Sequence, residues 1–151
     1  MPVQEIESLY QTDVADWCET QAAALERRDP AGLDWTNLAE EISSLGISLK
    51  HAIRSHLRTL LIHLIKYELQ PNVRSASWRA SIVNARSEIA DLIEESPSLK
   101  RHPREVFEKT LAQAYANALL EMNIAGKPSF TPWTLAQALD PEFFPGWTPS
   151  W

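Results

Sequence analysis

Apolar residues recur at intervals of three and four positions along much of this 151-residue chain. No stretch sustains the apolar–polar alternation of a half-buried strand, and no Asn-Gly or Asp-Gly pair indicates a hairpin. The clearest interval pattern follows Asp34, where one stripe consists of Trp35, Leu38, Ile42, Leu45 and Leu49. This spacing places side chains on one face of an α-helix. The sequence therefore predicts an all-α protein.

Turn signals divide the pattern into four to five main helices. We predict the first helix from about Glu5 to Arg28, because the segment RRDPAGLD opposes its continuation. Asp34 is the expected N-cap of the second helix, since its carboxylate accepts amides of the first turn. Pro71 is expected to stop this helix. Gly46 leaves two alternatives open, a kink in the helix or a restart with Ser48 as the cap.

Three more helices are predicted in the second half of the chain. Ser77 is the expected cap of one, and the next runs from about Pro103 to Asn123. Thr131 as N-cap, with Pro132 at the first helical position, is expected to open a short helix with the sequence WTLAQALD. Short loops between amphipathic helices are typical of antiparallel neighbours. We therefore expect a single domain over residues 1–151, an antiparallel bundle of four to five main helices with a short C-terminal helix.

The apolar faces of these helices form the predicted core. In the second helix the stripe is followed by another apolar face, made of Ile53, Leu57, Leu60, Leu61 and Leu64. The end of the chain, PEFFPGWTPSW, is expected to be an irregular aromatic tail. Two alternatives remain for it: it lies over one end of the bundle, or Trp147 and Trp151 are exposed and contact a partner.

The number of cysteines and the hydropathy of the chain limit the cellular compartments in which we expect the protein. The single Cys18 excludes an internal disulfide and a cysteine-based zinc site, and we interpret it as a small packing residue. The N-terminal segment MPVQEIESLY has neither the basic nor the apolar region of a signal peptide. No apolar run approaches the roughly 18 residues of a membrane helix. We expect a cytoplasmic protein without a membrane partner.

Charge is unevenly distributed along the chain, whose net charge is −6. Residues 1–49 carry −8, residues 50–86 carry +6 and residues 87–151 carry −4. The interpretation we favour is that acidic helices flank a basic one and pair with it. The alternative is a basic face, including Arg54 and Arg58, that is open to an anionic partner. Only Tyr67 and Trp78 are near as stacking aromatics and no recognition-helix motif is evident, so a nucleic-acid partner is not expected.

Several segments together resemble a known family. They are YQTDVADWCETQAAALER, LAEEISSLGIS, LRTLLIHLIKYELQP, SWRASIVNAR and PWTLAQALDPEFFP, in this order. From about Tyr10 to Pro145 the chain resembles a bacterial family called domain of unknown function 29, common in cyanobacteria. Tyr67 stands where that family often has tryptophan. The resemblance implies a small all-helical protein of the bacterial cytoplasm and implies no activity.

Five polar residues are candidates for a binding pocket. Glu41 lies at the margin of the first stripe, and the pairs His56 with His63 and Arg79 with Arg86 are each seven residues apart. Such spacing places both members of a pair on one helix edge. One interpretation is a pocket for a small anion or a metal-bound water. The other, which we favour, is a set of interhelical ion pairs and hydrogen bonds.

Neither a catalytic site nor a metal site is predicted. His56 and His63 are about 10.5 Å apart along a helix axis and do not readily share one ion. Glu40 and Glu41 point about 100° apart, so they do not form a carboxylate dyad. The common nucleophile, phosphate and dinucleotide motifs are missing, and we expect no cofactor.

The sequence favours a non-enzymatic module that binds a protein partner or a second copy of itself. Two alternatives stay open. One is a ligand- or metal-binding pocket with hydrolase-type activity, so whether the chain is an enzyme is undecided. The other is a nucleic-acid-associated regulator that uses the basic helix.

Overall fold

The computed structural model describes residues 1–129 and 133–146, and over these residues the chain is all-α with no strand. The predicted fold class is therefore confirmed. Thr131, Pro132, Trp147 and Trp151, which entered the predictions above, lie outside the described residues. Two compact units form, Met1–Ser48 and Leu49–Trp151. The expectation of a single domain stays a prediction, and each unit is described by itself.

The first unit contains two short helices, α1 (Val3–Thr12) and α2 (Val14–Glu26), where the sequence predicted one. The prediction of a continuous helix from Glu5 to Arg28 is wrong because Asp13 interrupts it. Asp13 has non-helical dihedrals, with φ −151° and ψ 86°, and its carboxylate accepts the amide hydrogen of Asp16 at 3.1 Å. A side chain that caps the following helix competes with continuation of the preceding one.

A small buried centre joins α1, α2 and the start of the long helix α3 (Trp35–Leu69). The buried apolar residues of the first unit are Ile6, Trp17, Ala24 and Leu33. Asp34 caps α3 as predicted, since its Oδ1 accepts the amide hydrogen of Asn37 at 3.2 Å. Cys18, by contrast, is exposed, so its interpretation as a packing residue is wrong.

The helix α3 continues from Trp35 to Leu69 through Gly46, so it does not restart there with Ser48 as the cap. A 3-10 turn, Pro71–Val73, follows it, and Pro71 ends the helix as predicted. The part of α3 from Leu49 onward belongs to the second unit.

The second unit also contains α4 (Ala76–Glu95), α5 (His102–Glu121) and α6 (Leu135–Leu139). Two predicted caps are wrong. Ser75, not Ser77, caps α4 by accepting the amide hydrogen of Trp78. Thr134 caps α6 in a reciprocal capping box with Gln137, so α6 begins later than the proline at 132 suggested.

Within the second unit α3 and α4 run in opposite directions. Lys66, near the end of α3, lies 5.9 Å from the ring of Trp78 at the start of α4. His56, earlier on α3, lies 4.0 Å from Glu88, later on α4. The two helices share a core with α5. The members of this core on α3 that are fully buried, at 0% exposure, are Ile53, Leu57, Leu60, Leu61, Leu64 and Ile65.

In the part of the chain that the structure describes, no helix combines the length and the apolar character needed to cross a bilayer.

Candidate functional site

The five predicted pocket residues are divided between the two units. Glu41 belongs to the first unit, and His56, His63, Arg79 and Arg86 belong to the second. Each is described below in its own unit. Their predicted grouping into one pocket stays a prediction.

Glu41 is exposed on α3, and its carboxylate accepts a hydrogen bond from the hydroxyl of Tyr10 at 2.6 Å. This bond raises the pKa of Tyr10 to about 12, with smaller contributions from desolvation and from the charges of Glu41, Glu40 and Asp34. Each of these contributions makes the phenolate less favourable. The surface beside Tyr10 is therefore electronegative.

The two histidines of α3 make different contacts. The Nε2 atom of His56 lies 4.0 Å from a carboxylate oxygen of Glu88 on α4. The Nδ1 atom of His63 lies 2.8 Å from the carbonyl oxygen of Thr59, one turn earlier on the same helix. A carbonyl oxygen only accepts, so Nδ1 of His63 carries the proton in this contact.

The structure brings Arg79 and Arg86 together on one aromatic ring. Their guanidinium carbons lie 4.6 Å and 5.2 Å from the ring centre of Phe144. Phe144 is buried and also lies 5.6 Å from the ring of Tyr67. This contact between arginines and an aromatic ring is favourable because the ring face is electronegative. The aromatic residue Phe144 of the predicted tail is thus part of the second unit's core.

Arg86 is a buried residue whose side chain is bonded to the backbone near the C-terminal end of the chain. It donates to the carbonyl oxygens of Ala138 at 2.9 Å, Pro141 at 3.4 Å and Phe143 at 2.6 Å. Burial lowers the pKa of its guanidinium, and the charge of Asp140 opposes this shift. An arginine remains protonated at ordinary pH even so. These bonds give Arg86 a structural role.

Arg74 makes a second connection to the same segment, which the sequence did not reveal. Its guanidinium donates to the carbonyl oxygens of Pro145 at 2.9 Å and Gly146 at 3.3 Å, and its Nε donates to that of Tyr67 at 2.7 Å. Gly146 has φ +66°, and a Cβ atom there would lie 2.8 Å from Nη2 of Arg74. Glycine at this position therefore permits the close approach of Arg74.

Glu68 lies close to these arginine contacts, and it too was not identified from the sequence. Its Oε2 atom is buried without a hydrogen-bond partner among the described residues. Burial raises the pKa of its carboxyl group, while the hydrogen bond from Trp133 and the charge of Arg74 act in the opposite direction. The sequence contains no sign of this environment, because a charged residue in the last turn of a helix is usually exposed.

Metal ligands are not grouped in the described ranges, 1–129 and 133–146. Within them, no three side chains of histidine, cysteine, aspartate or glutamate are placed to hold one ion.

The most exposed apolar surface of the first unit is the stripe on α3 that the sequence placed against neighbouring helices. We define the apolar stripe as Trp35, Leu38, Ile42 and Leu45. Trp35 is 63%, Ile42 70% and Leu45 67% exposed, and Leu38 is half-buried. The expectation that this stripe packs inside a bundle is therefore wrong. Every residue from 39 to 48 is exposed, so α3 has no covered face over these ten positions.

Two surface cavities adjoin the apolar stripe within the first unit. One, of about 400 Å³, is lined by Glu41, Ile42, Leu45 and two serines. The other, of about 310 Å³, lies at the Trp35 end, and Glu7 and Asp34 are among its lining residues. Each cavity combines apolar side chains of the stripe with carboxylates. This combination suits a ligand that has both apolar and cationic groups.

The helices and the contacts described above define a small all-α protein. The family model described as domain of unknown function DUF29 matches residues 9–144, and the chain belongs to this family. The resemblance seen in the sequence is thereby confirmed. A search of curated proteins and a search of solved structures each gave no match.

Proposed function

We propose that this chain is a non-enzymatic protein-interaction module of the cytoplasm and that its partner binds the apolar stripe. One observation carries the proposal. The two halves of α3 have similar apolar spacing, yet Leu57 and Leu60 are fully buried while Ile42 and Leu45 are about two-thirds exposed. Scattered exposed apolar residues are ordinary, but a contiguous row on one helix face is a feature of interaction sites.

The charge of the first unit limits the kind of partner. Residues 1–48 contain ten carboxylates and two arginines, a net charge of −8. Phosphate backbones and anionic membrane surfaces are both repelled by such a unit. These charges support a protein partner over a nucleic acid or a lipid surface.

Native mass spectrometry of the protein isolated from the cells that encode it tests the proposal. We expect the wild-type chain to carry a stoichiometric protein partner and the double variant Ile42→Gln, Leu45→Gln to be free of it. Glutamine is a good helix former, so the substitution removes apolar surface without opposing the helix.

Ile47→Gln is the matched control for this experiment. Ile47 is 51% exposed on the same helix but points about 160° away from Leu45. The control is expected to keep the partner. A wild-type chain that is always a bare monomer, or a partner kept by the double variant, would contradict the proposal.

A further inference from the structure

We propose that the occupant of the apolar stripe is a basic amphipathic helix, with apolar residues at intervals of three and four and with lysine or arginine beside them. This inference rests on the proposed function, since it names the chemistry of the partner at the same site. It follows from the shape of the stripe, the small residues beside it and the sign of its charge.

The shape of the stripe fits a helix. Trp35 and Ile42 are seven residues apart, and so are Leu38 and Leu45. A row with this seven-residue repeat follows the seam along which a second helix packs at a shallow left-handed crossing. The row spans about 15 Å at 1.5 Å per residue. A partner helix of three turns covers this length.

Small residues beside the stripe allow a second helix to approach. Ala39 and Gly46 are seven residues apart and lie along one margin of the stripe. Both are exposed, and no atom lies within 4 Å of the position that a Cβ of Gly46 would take. A helix can therefore contact the stripe from this side without displacing any side chain of the first unit.

The charge around the stripe favours a cationic occupant. Glu41 lines the cavity beside Ile42 and Leu45, and Glu7 lines the cavity at the Trp35 end. Among the residues that the structure describes, no carboxylate of the first unit is in an ion pair. Glu41 accepts a hydrogen bond from the neutral hydroxyl of Tyr10, so its charge is not paired. Glu41 and Glu7 can therefore attract lysine or arginine side chains of a partner helix.

A second copy of the chain is a poorer occupant than a basic helix. Its first unit has the same net charge of −8, so pairing two stripes would bring like charges together. The basic part of α3, from Lys50 to Lys66, does not supply the occupant either. Its apolar face, including Leu57 and Leu60, is fully buried in the second unit.

Binding of two synthetic helical peptides to the full-length protein tests the inference. The peptides share one seam of leucine and isoleucine, and they differ in carrying either lysine or glutamate at the positions beside it. Fluorescence anisotropy gives both affinities, at low salt and at about 0.3 M salt, where exposed charges are strongly screened. We expect the lysine peptide to bind at least about tenfold more tightly at low salt, and this preference to shrink at high salt.

Variants of the protein separate the apolar and the ionic parts of the contact. Ile42→Gln is expected to lower the affinity for the lysine peptide by about tenfold or more, since Ile42 lies at the centre of the stripe. The control Ile47→Gln is expected to leave its affinity unchanged. Glu7→Gln with Glu41→Gln is expected to reduce the salt dependence. Circular dichroism of each variant verifies that the helices are retained.

Three results would overturn the inference. They are equal or tighter binding of the glutamate peptide, equal losses in Ile42→Gln and Ile47→Gln, and a homodimer in sedimentation that Ile42→Gln dissociates. The last result would leave the proposed function standing with a different partner. A chain that is always a bare monomer in native mass spectrometry would remove the proposed function itself, so the two failures are distinguishable.

Discussion

The Nε atom of Arg86 lies 2.9 Å from the carbonyl oxygen of Ala138, which is 52 positions later in the chain. Ala138 is one residue from the end of α6, so Arg86 donates to a carbonyl group in the last turn of that helix. Carbonyl groups at a helix end have no partner within the helix, and a cationic side chain that reaches them is favourable there. A buried arginine thus connects α4 to the C-terminal segment through hydrogen bonds to backbone carbonyl groups.

Replacement of Arg86 by methionine is expected to destabilise the protein. The change keeps an apolar side chain of similar length but leaves the carbonyl groups of Ala138, Pro141 and Phe143 without their donors. Buried acceptors that lose their donors cost about 1–3 kcal/mol each before relaxation, so we expect a loss of about 3 kcal/mol. Urea unfolding followed by circular dichroism measures it. Arg101→Met, at an exposed position, is the control and is expected to change stability by less than about 0.5 kcal/mol.

Gly46→Ala is expected to stabilise the protein. Gly46 lies inside the continuous helix α3, and nothing lies within 4 Å of the position of an added Cβ. Alanine in an exposed helix interior is favoured over glycine by about 0.5–1 kcal/mol. The rise appears as a higher midpoint in urea unfolding. A decrease would show that the backbone at this position leaves the helical conformation in solution.

Gly126→Ala is the matched comparison for the preceding variant. Gly126 also has free space around an added Cβ, but its φ is +91°. An L-residue is disfavoured in that conformation by about 1–2 kcal/mol. We therefore expect the two alanine substitutions to have opposite signs.

Asp34 is expected to make stability depend on pH. Burial by itself raises the pKa of this carboxyl group, but hydrogen bonds from Asn37 and from the indole of Trp17 outweigh burial and place the pKa below its ordinary value. A carboxyl group with a lowered pKa in the folded state contributes stability above its unfolded pKa of about 3.9. That contribution is lost as the pH falls through the folded pKa.

Asp34→Asn tests this contribution. The amide keeps one acceptor for the cap but directs its NH₂ group at the donors of Trp17 and Asn37, so we expect a loss of about 1–3 kcal/mol at pH 7. The difference between variant and wild type should decrease as the pH approaches 3. Asp91→Asn, at an exposed position on α4, is the control. A loss that is equal at both pH values would show that the charge of Asp34 does not contribute.

The helices of the second unit could be predicted well from the sequence, because apolar residues recur at helical spacing along one face of each helix. Ile53, Leu57 and Leu60 are all fully buried as their spacing predicts, and Pro71 ends α3. Caps were harder to place. Ser75 and Ser77 are chemically equivalent, and only the backbone conformation decides which one is the N-cap.

The first unit and the candidate site were harder to predict from the sequence. Spacing identifies an apolar face but does not say what covers it, so the stripe from Trp35 to Leu45 was assigned to the core. The Asp13 cap was missed because an aspartate inside a helical pattern is not unusual by itself. The carbonyl acceptors of Arg86 lie more than fifty residues away and are backbone atoms, which leave no signal in the sequence.

Removal of the apolar stripe is expected to leave stability almost unchanged. Ile42 and Leu45 are 70% and 67% exposed, so glutamine at both positions removes little buried surface. We expect a change within about 0.5 kcal/mol, whereas Leu57→Ala in the second unit should cost about 2–5 kcal/mol. Urea unfolding of the purified protein gives both values. A large loss in the stripe variant at every protein concentration would mean that the stripe is covered within the monomer. A loss that appears only at high concentration would mean that a second copy covers it, because dissociation couples stability to concentration.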